Sequence, residues 1–102
     1  MKSIMTAAVL ASALVAAPAM ADLDLAKKSG CLACHSVDKK VVGPAWKDVA
    51  SSGADRDRII KTIAKGGKGN WTAVTGGVPM PPYSPRVSDA NIEILADFIL
   101  GL

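Results

Sequence analysis

The 102-residue chain holds only two cysteines and one histidine, and its aromatic side chains number four: Trp46, Trp71, Tyr83 and Phe98. A structural zinc site requires four Cys or His ligands, and the whole chain offers three. Four aromatics cannot fill a large apolar centre, and with a formal net charge of +3 they are too sparse for a nucleic-acid surface. No segment alternates apolar and polar residues as a half-buried strand does. The longest apolar run, Ile4 to Ala17, is 14 residues and is interrupted by Pro18, short of the roughly 20 that a membrane-spanning helix needs.

What is present is concentrated in one pentapeptide. Both cysteines and the histidine fall in Cys31-Leu32-Ala33-Cys34-His35. On a helical turn, positions i, i+3 and i+4 share a face. The two thiols can therefore add to the two vinyl groups of one porphyrin while His35 binds its iron through a ring nitrogen. Cys-x-x-Cys-His is the pattern of covalent c-type haem attachment. A thioredoxin-like dithiol expects strands alternating with helices around it, and that pattern is missing. A disulfide across two intervening residues closes too small a loop to stabilise much.

The first residues read as an export signal. Lys2 supplies the positive start, the apolar run follows, and Ala19-Met20-Ala21 is a small-x-small cleavage site ahead of Asp22. Residues 1–21 are expected to be a cleaved signal peptide directing the chain to the periplasm, where bacteria attach haem to such motifs. Residues 22–102 then form a single domain of 81 residues. A chain this short has little core of its own, and a haem tied by two thioethers would serve as its middle.

The remainder reads as helices and loops. Asp22 or Asp24 is expected to cap a short helix through Leu25 and Ala26. Pro44 to Val49 reads as a brief helical turn with Pro44 at its first position. Asp55 to Lys65 is a helix with a stripe of Ile59, Ile60, Ile63 and Ala64, stopped by Gly66-Gly67. Ser88 caps the last helix and Val87 staples to Ile92. Ile92, Leu95, Ala96 and Ile99 make its face, Ile94 and Phe98 widen it, and Gly101 ends it. The fold class is all-α.

Gly66 to Pro85 is a long loop with five glycines and four prolines, and a loop of that length in a small domain is usually functional. Prolines stiffen the backbone around Met80. Once Met1, Met5 and Met20 leave with the signal, Met80 is the sole methionine. It is the candidate sixth ligand, opposite His35, where a soft sulfur favours Fe(II) and raises the potential.

With this motif near the start, one methionine in a proline frame and an amphipathic last helix, the chain resembles the class I cytochromes c. It is most similar to the short bacterial periplasmic carriers that pass electrons to nitrite reductases and terminal oxidases. The resemblance spans the mature chain through the pentapeptide, Val42-Gly43-Pro44-Ala45-Trp46, Gly69-Asn70-Trp71, Pro79-Met80-Pro81-Pro82 and the final helix. It implies a small cytochrome c fold of three to four helices wrapped around one haem c. It implies further that the Pro44 carbonyl holds the second nitrogen of His35 and that Trp71 hydrogen-bonds a haem propionate. Gly30, by the same resemblance, lets the first and last helices cross near Phe98. Two departures stand out. Tyr83 follows Pro-Pro where the short carriers have an asparagine supporting the ligand sulfur, and the span from Trp71 to Met80 is longer.

After signal removal, eleven Lys and Arg face nine Asp and Glu, and two haem propionates would bring the total near zero. Lys27-Lys28, Lys39-Lys40 and Lys65 with Lys68 form either an ordinary solvated face or a ring that guides an acidic partner. The expectation is a monomeric, single-electron carrier of the respiratory chain. Its haem is bound by Cys31, Cys34, His35, Pro44, Trp71 and Met80, with His35 and Met80 on the iron. A quinol–cytochrome c reductase, a nitrite reductase or a terminal oxidase would be its partner, with no nucleic acid and no stable membrane insertion. With its one histidine committed to iron, the chain has no general base, and it carries no nucleophile constellation, so no enzyme activity is expected. The competing expectation is a haem ligand-binding or peroxidase-like protein with a weak or absent methionine ligand; an apo thiol redox module is a third.

Overall fold

The computed structural model describes residues 18–102, so the expected export segment lies almost wholly outside the described residues. Within them the fold is all-α: α1 Pro18–Lys28, α2 Trp46–Ser51, α3 Arg56–Lys65, α4 Thr72–Thr75 and α5 Asp89–Leu100, with a 3-10 turn at Cys31–Ala33. No strand occurs among the described residues, only two isolated bridges. Four helices exceed a single turn, as expected. The short α4 sits inside the segment read as a plain loop.

The local readings fare unevenly. Asp22 and Asp24 do not cap α1; both lie within it, and Asp24 instead pairs with Lys28 one turn on at 3.0 Å. The helix ends as Gly30 turns left-handed at φ 88°. A methyl there would meet only Arg86 Nη1, at 4.0 Å, so the expected close helix crossing at Phe98 is not what requires a glycine. Pro44 is not the first residue of α2. Ala45, extended at ψ 139°, is the N-cap, and its carbonyl accepts from Asp48 and Val49, which starts the helix at Trp46.

The two longer amphipathic helices form where their patterns place them. The Asp55 carboxylate accepts from the Arg58 amide at 2.7 Å and caps α3, and Gly66 closes that helix at φ 70°. Ile59 and Ile63 are buried, while Ile60 and Ala64 pack at the margin. Ser88 caps α5 by accepting from the Asn91 amide at 3.2 Å. Val87 and Ile92 are both buried, as a staple requires.

The centre is α5, which packs against α3, α1 and α2. Ile92 and Leu95 are each 1% exposed and Ala96 is fully buried. Burying a side chain of that size stabilises by about 1.5–3 kcal/mol. Ile94 does not widen the buried face; it is 43% exposed, because two residues on a helix turn the side chain about 200° away from Ile92. At the rim, Arg56 at the start of α3 reaches across to Asp97 of α5 at 2.7 Å.

Candidate functional site

The segment from Cys31 to Trp46 folds back on itself. The amides of Cys34 and His35 donate to the Cys31 carbonyl, which puts both cysteines and the histidine on one tight turn. The Val42 and Gly43 amides both donate to the Cys34 carbonyl, at 3.1 and 2.7 Å. That return brings Pro44 beside the imidazole, where its carbonyl accepts from His35 Nδ1 at 2.9 Å. With Nδ1 carrying the proton, Nε2 keeps a lone pair for a metal. Burial pushes the His35 pKa below its ordinary value and so favours the neutral ring, opposed by the bond to Pro44.

Two neighbours fix the plane of that ring. Trp46 stacks on His35 with centroids 5.6 Å apart and planes 20° from parallel, and Phe98 meets Trp46 edge-on at 5.9 Å. Buried Gly43 presses against the imidazole: a methyl on it would lie 2.8 Å from Nδ1 and 2.9 Å from Nε2. Only a residue without a side chain fits there.

The turn opens onto a cavity of about 440 Å³, within the usual size range of cofactor sites. All six residues singled out from the sequence, Cys31, Cys34, His35, Pro44, Trp71 and Met80, line it. Ile59 and Ile63 from α3 and Leu95 and Ile99 from α5 supply apolar walls. Met80 is held by a reciprocal pair of backbone bonds with Gly67, both 2.9 Å. The chain beyond it is pinned to α3 through Tyr83 to the Ile63 carbonyl and Ser84 to the Ala64 carbonyl, at 3.1 and 3.2 Å. Gly66 lies directly beneath this strap. A methyl on it would strike the Met80 carbonyl oxygen and lie 2.8 Å from both Pro81 C and Pro82 N.

Trp71 is half-buried at the cavity and opens α4, its carbonyl accepting from Val74 and Thr75 at 2.9 Å. That turn occupies the first part of the span between Trp71 and Met80. Tyr83 is buried at 7% exposure and also lines the cavity. Its pKa is raised, first by burial and then by the nearby Cys31 and Cys34.

Sequence reasoning missed four contributors. Gly43 and Gly66 entered it as parts of a motif and a helix stop, with no sign of the close approach each allows. Trp46 was counted as an aromatic and not as a plate for His35. Arg86, which stands over the Tyr83 ring, carried no local signal at all.

The donor set suits an iron porphyrin. Neither thiol is joined in a disulfide, an oriented imidazole and a thioether line the same cavity, and most of its wall is hydrocarbon. Burial holds the Cys31 thiol above its ordinary pKa, partly offset by Arg86. Among the described residues no group of three His, Cys, Asp or Glu side chains is placed to hold a metal ion by itself, so the iron would come held in its own macrocycle.

Comparison with known proteins agrees with this geometry. Residues 18–99 match the family model described as cytochrome C oxidase, cbb3-type, subunit III. Cytochrome c-552 of Nitrosomonas europaea is 53% identical over 89 residues, covering 87% of this chain and 85% of that protein. Cytochrome c-551 of Allochromatium vinosum is 50% identical over 92 residues, covering 86% and 93%. The crystal structure of wild-type Nitrosomonas europaea cytochrome c552 superposes with a TM-score of 0.68 at 48% identity, covering 78% of this chain and 98% of that one. A class 1 cytochrome from Sideroxydans lithotrophicus superposes with a TM-score of 0.64 at 30% identity, covering 80% and 92%. Identity of this order across most of both chains, on a shared fold, means that this chain belongs to the cytochrome c family, among the small class I members with one covalent haem.

Proposed function

We propose that the chain is a periplasmic one-electron carrier whose haem iron is bound by His35 on one side and Met80 on the other, with Cys31 and Cys34 forming the thioethers. One observation carries this reading: Met80 lines the same cavity as Cys31, Cys34 and His35, on a strap tied by its backbone to Gly67. When bound, the haem supplies an iron that exchanges one electron between its ferric and ferrous states.

The residues of the chain do the rest. Pro44 fixes the tautomer and tilt of His35, and Trp46 and Gly43 hold its ring plane. The strap and α3 keep the Met80 thioether in place in both oxidation states, and the apolar walls from α3 and α5 exclude water. No proton needs to move at any of these atoms. An electron carrier needs that stillness and no substrate pocket, so the protein is not itself a catalyst in this reading. Trp71, at the cavity, is assigned to a haem propionate.

Residues 1–21 act as the export signal, and residues 22–102 are the working, monomeric domain. Lys27, Lys28, Lys39, Lys40, Lys65 and Lys68 are all exposed and meet an acidic redox partner, of the kind of a quinol–cytochrome c reductase, nitrite reductase or terminal oxidase. The test is the oxidised spectrum at neutral pH. A sulfur-to-iron charge-transfer band in the far red, with no carbon monoxide binding to the reduced protein, is the expected result. A missing band with ready carbon monoxide binding would replace the carrier with a ligand-binding or peroxidase-like haem protein. Rates of electron exchange with candidate partners, measured against salt, identify the partner.

A further inference from the structure

Arg86 is not among the residues that line the cavity, yet it touches both segments that flank it. Its Nη1 donates to the carbonyl of buried Ser29 at 3.5 Å, two residues before Cys31. Its guanidinium carbon stands 4.8 Å from the centroid of the Tyr83 ring, three residues beyond Met80. The cation thus links the attachment turn to the methionine strap across a separation of 57 residues. Arg86 is itself exposed but rests on a ring that is only 7% exposed. Stacking over an aromatic face is favourable for a guanidinium. Among the described residues, the ion pairs involve Lys28, Lys47 and Arg56 and leave Arg86 without a carboxylate. No carboxylate among them cancels its charge.

We propose that Arg86 sets the reduction potential: held by Tyr83 and the Ser29 carbonyl, its unpaired charge favours the reduced haem. The inference rests on the electron-carrier reading. In the exchange, the iron takes one electron from a reduced donor protein, Fe(III) becoming Fe(II), and no bond forms or breaks. The site loses one unit of positive charge, so a fixed cation nearby disfavours the oxidised form more than the reduced one. Tyr83, itself buried, gives the guanidinium a packed face to rest on.

The test is a spectroelectrochemical titration of the haem-loaded protein beside Arg86→Gln and Arg86→Lys, with the far-red band recorded for each. Arg86→Gln is expected to shift the Fe(II):Fe(III) ratio at a fixed ambient potential about two- to fivefold toward Fe(III), about 20–40 mV at ~59 mV per tenfold for one electron. Arg86→Lys, which keeps the charge, should stay nearer the parent than the glutamine variant does. The difference between parent and Arg86→Gln should shrink between about 0.01 M and about 1 M salt, as screening tightens. An unchanged ratio in Arg86→Gln overturns the proposal, as does a lysine variant shifted as far as glutamine. Loss of the far-red band in Arg86→Gln alone would make Arg86 a structural clamp and overturn it too. A band missing from the parent would refute Met80 ligation instead, while the potentials of parent and variants remain comparable.

Discussion

Gly66→Ala separates the methionine strap from the rest of the fold. Gly66 has φ 70° and ψ −162°, a region essentially closed to residues with a side chain, where occupancy costs about 1–3 kcal/mol. The new methyl would also overlap the Met80 carbonyl and press on Pro81 and Pro82. Relieving that overlap means moving the strap and weakening the paired bonds between Met80 and Gly67, each worth about 0.5–1.5 kcal/mol net. Together these come to about 3–4 kcal/mol, a large part of the 5–15 kcal/mol typical of a domain. For a domain this small, each kcal/mol lowers Tm by about 4–8 °C. The expected result is therefore a fall in Tm on the order of 12–32 °C, with a weakened far-red sulfur–iron band. Gly69→Ala is the control: at φ 57° it has nothing within 4 Å of the added methyl, so only the left-handed backbone cost of about 1–2 kcal/mol applies. If Gly66→Ala melts no lower than Gly69→Ala and keeps its band, the argument that Gly66 seats the methionine is wrong.

Other variants probe the remaining parts of the site. Met80→Ala should keep the covalent haem but lose low-spin iron and the high potential, measured by absorption spectra and potentiometry; an unchanged potential would mean that another group ligates iron. Leu95→Ala, at a position 1% exposed on the cavity wall, should cost about 2–5 kcal/mol in urea unfolding. Asp97→Asn should cost little, since the pair with Arg56 is exposed. The bond to Arg56 holds the Asp97 carboxyl below its ordinary pKa, so the pair contributes fully above the ordinary carboxylate range and is lost as pH falls through the lowered value. The stability gap between parent and Asp97→Asn should accordingly close in acid and in high salt.

How much of this was legible in the sequence depends on the range of the interaction. Cys31, Cys34 and His35 lie on one turn, so their spacing alone places them together, and the caps at Asp55 and Ser88 are equally local. Met80 was reachable by elimination, because no other methionine follows residues 1–21, the expected export segment. The close approaches of Gly43 to His35 and of Gly66 to Met80 are tertiary facts, and a glycine at a helix end or in a loop has many commoner reasons to be there. Arg86 depends on a partner 57 residues away, beyond any periodicity. The N-cap at Asp22 or Asp24 failed because capping propensity says where a helix can begin, while α1 already begins upstream at Pro18. Pro44 failed as a first helical residue because its carbonyl is engaged with His35 and the chain stays extended through Ala45.

The short return from Cys34 to Pro44 bears on the order in which the molecule comes together. His35 and the carbonyl that orients it are separated by nine residues, whereas Met80 must close a span of 45 from His35. A fivefold longer loop costs roughly 1.4 kcal/mol more to close, before any packing of α3 and α5 offsets it. The histidine side is therefore a nearly self-sufficient peptide hook, able to present two thiols and an aligned imidazole while the rest of the chain is still open. The methionine side is a latch that engages only when the helices have docked. In the proposed arrangement of His35 and Met80, loading of the cofactor can thus precede folding, and sulfur on the iron would be a direct report that folding is complete.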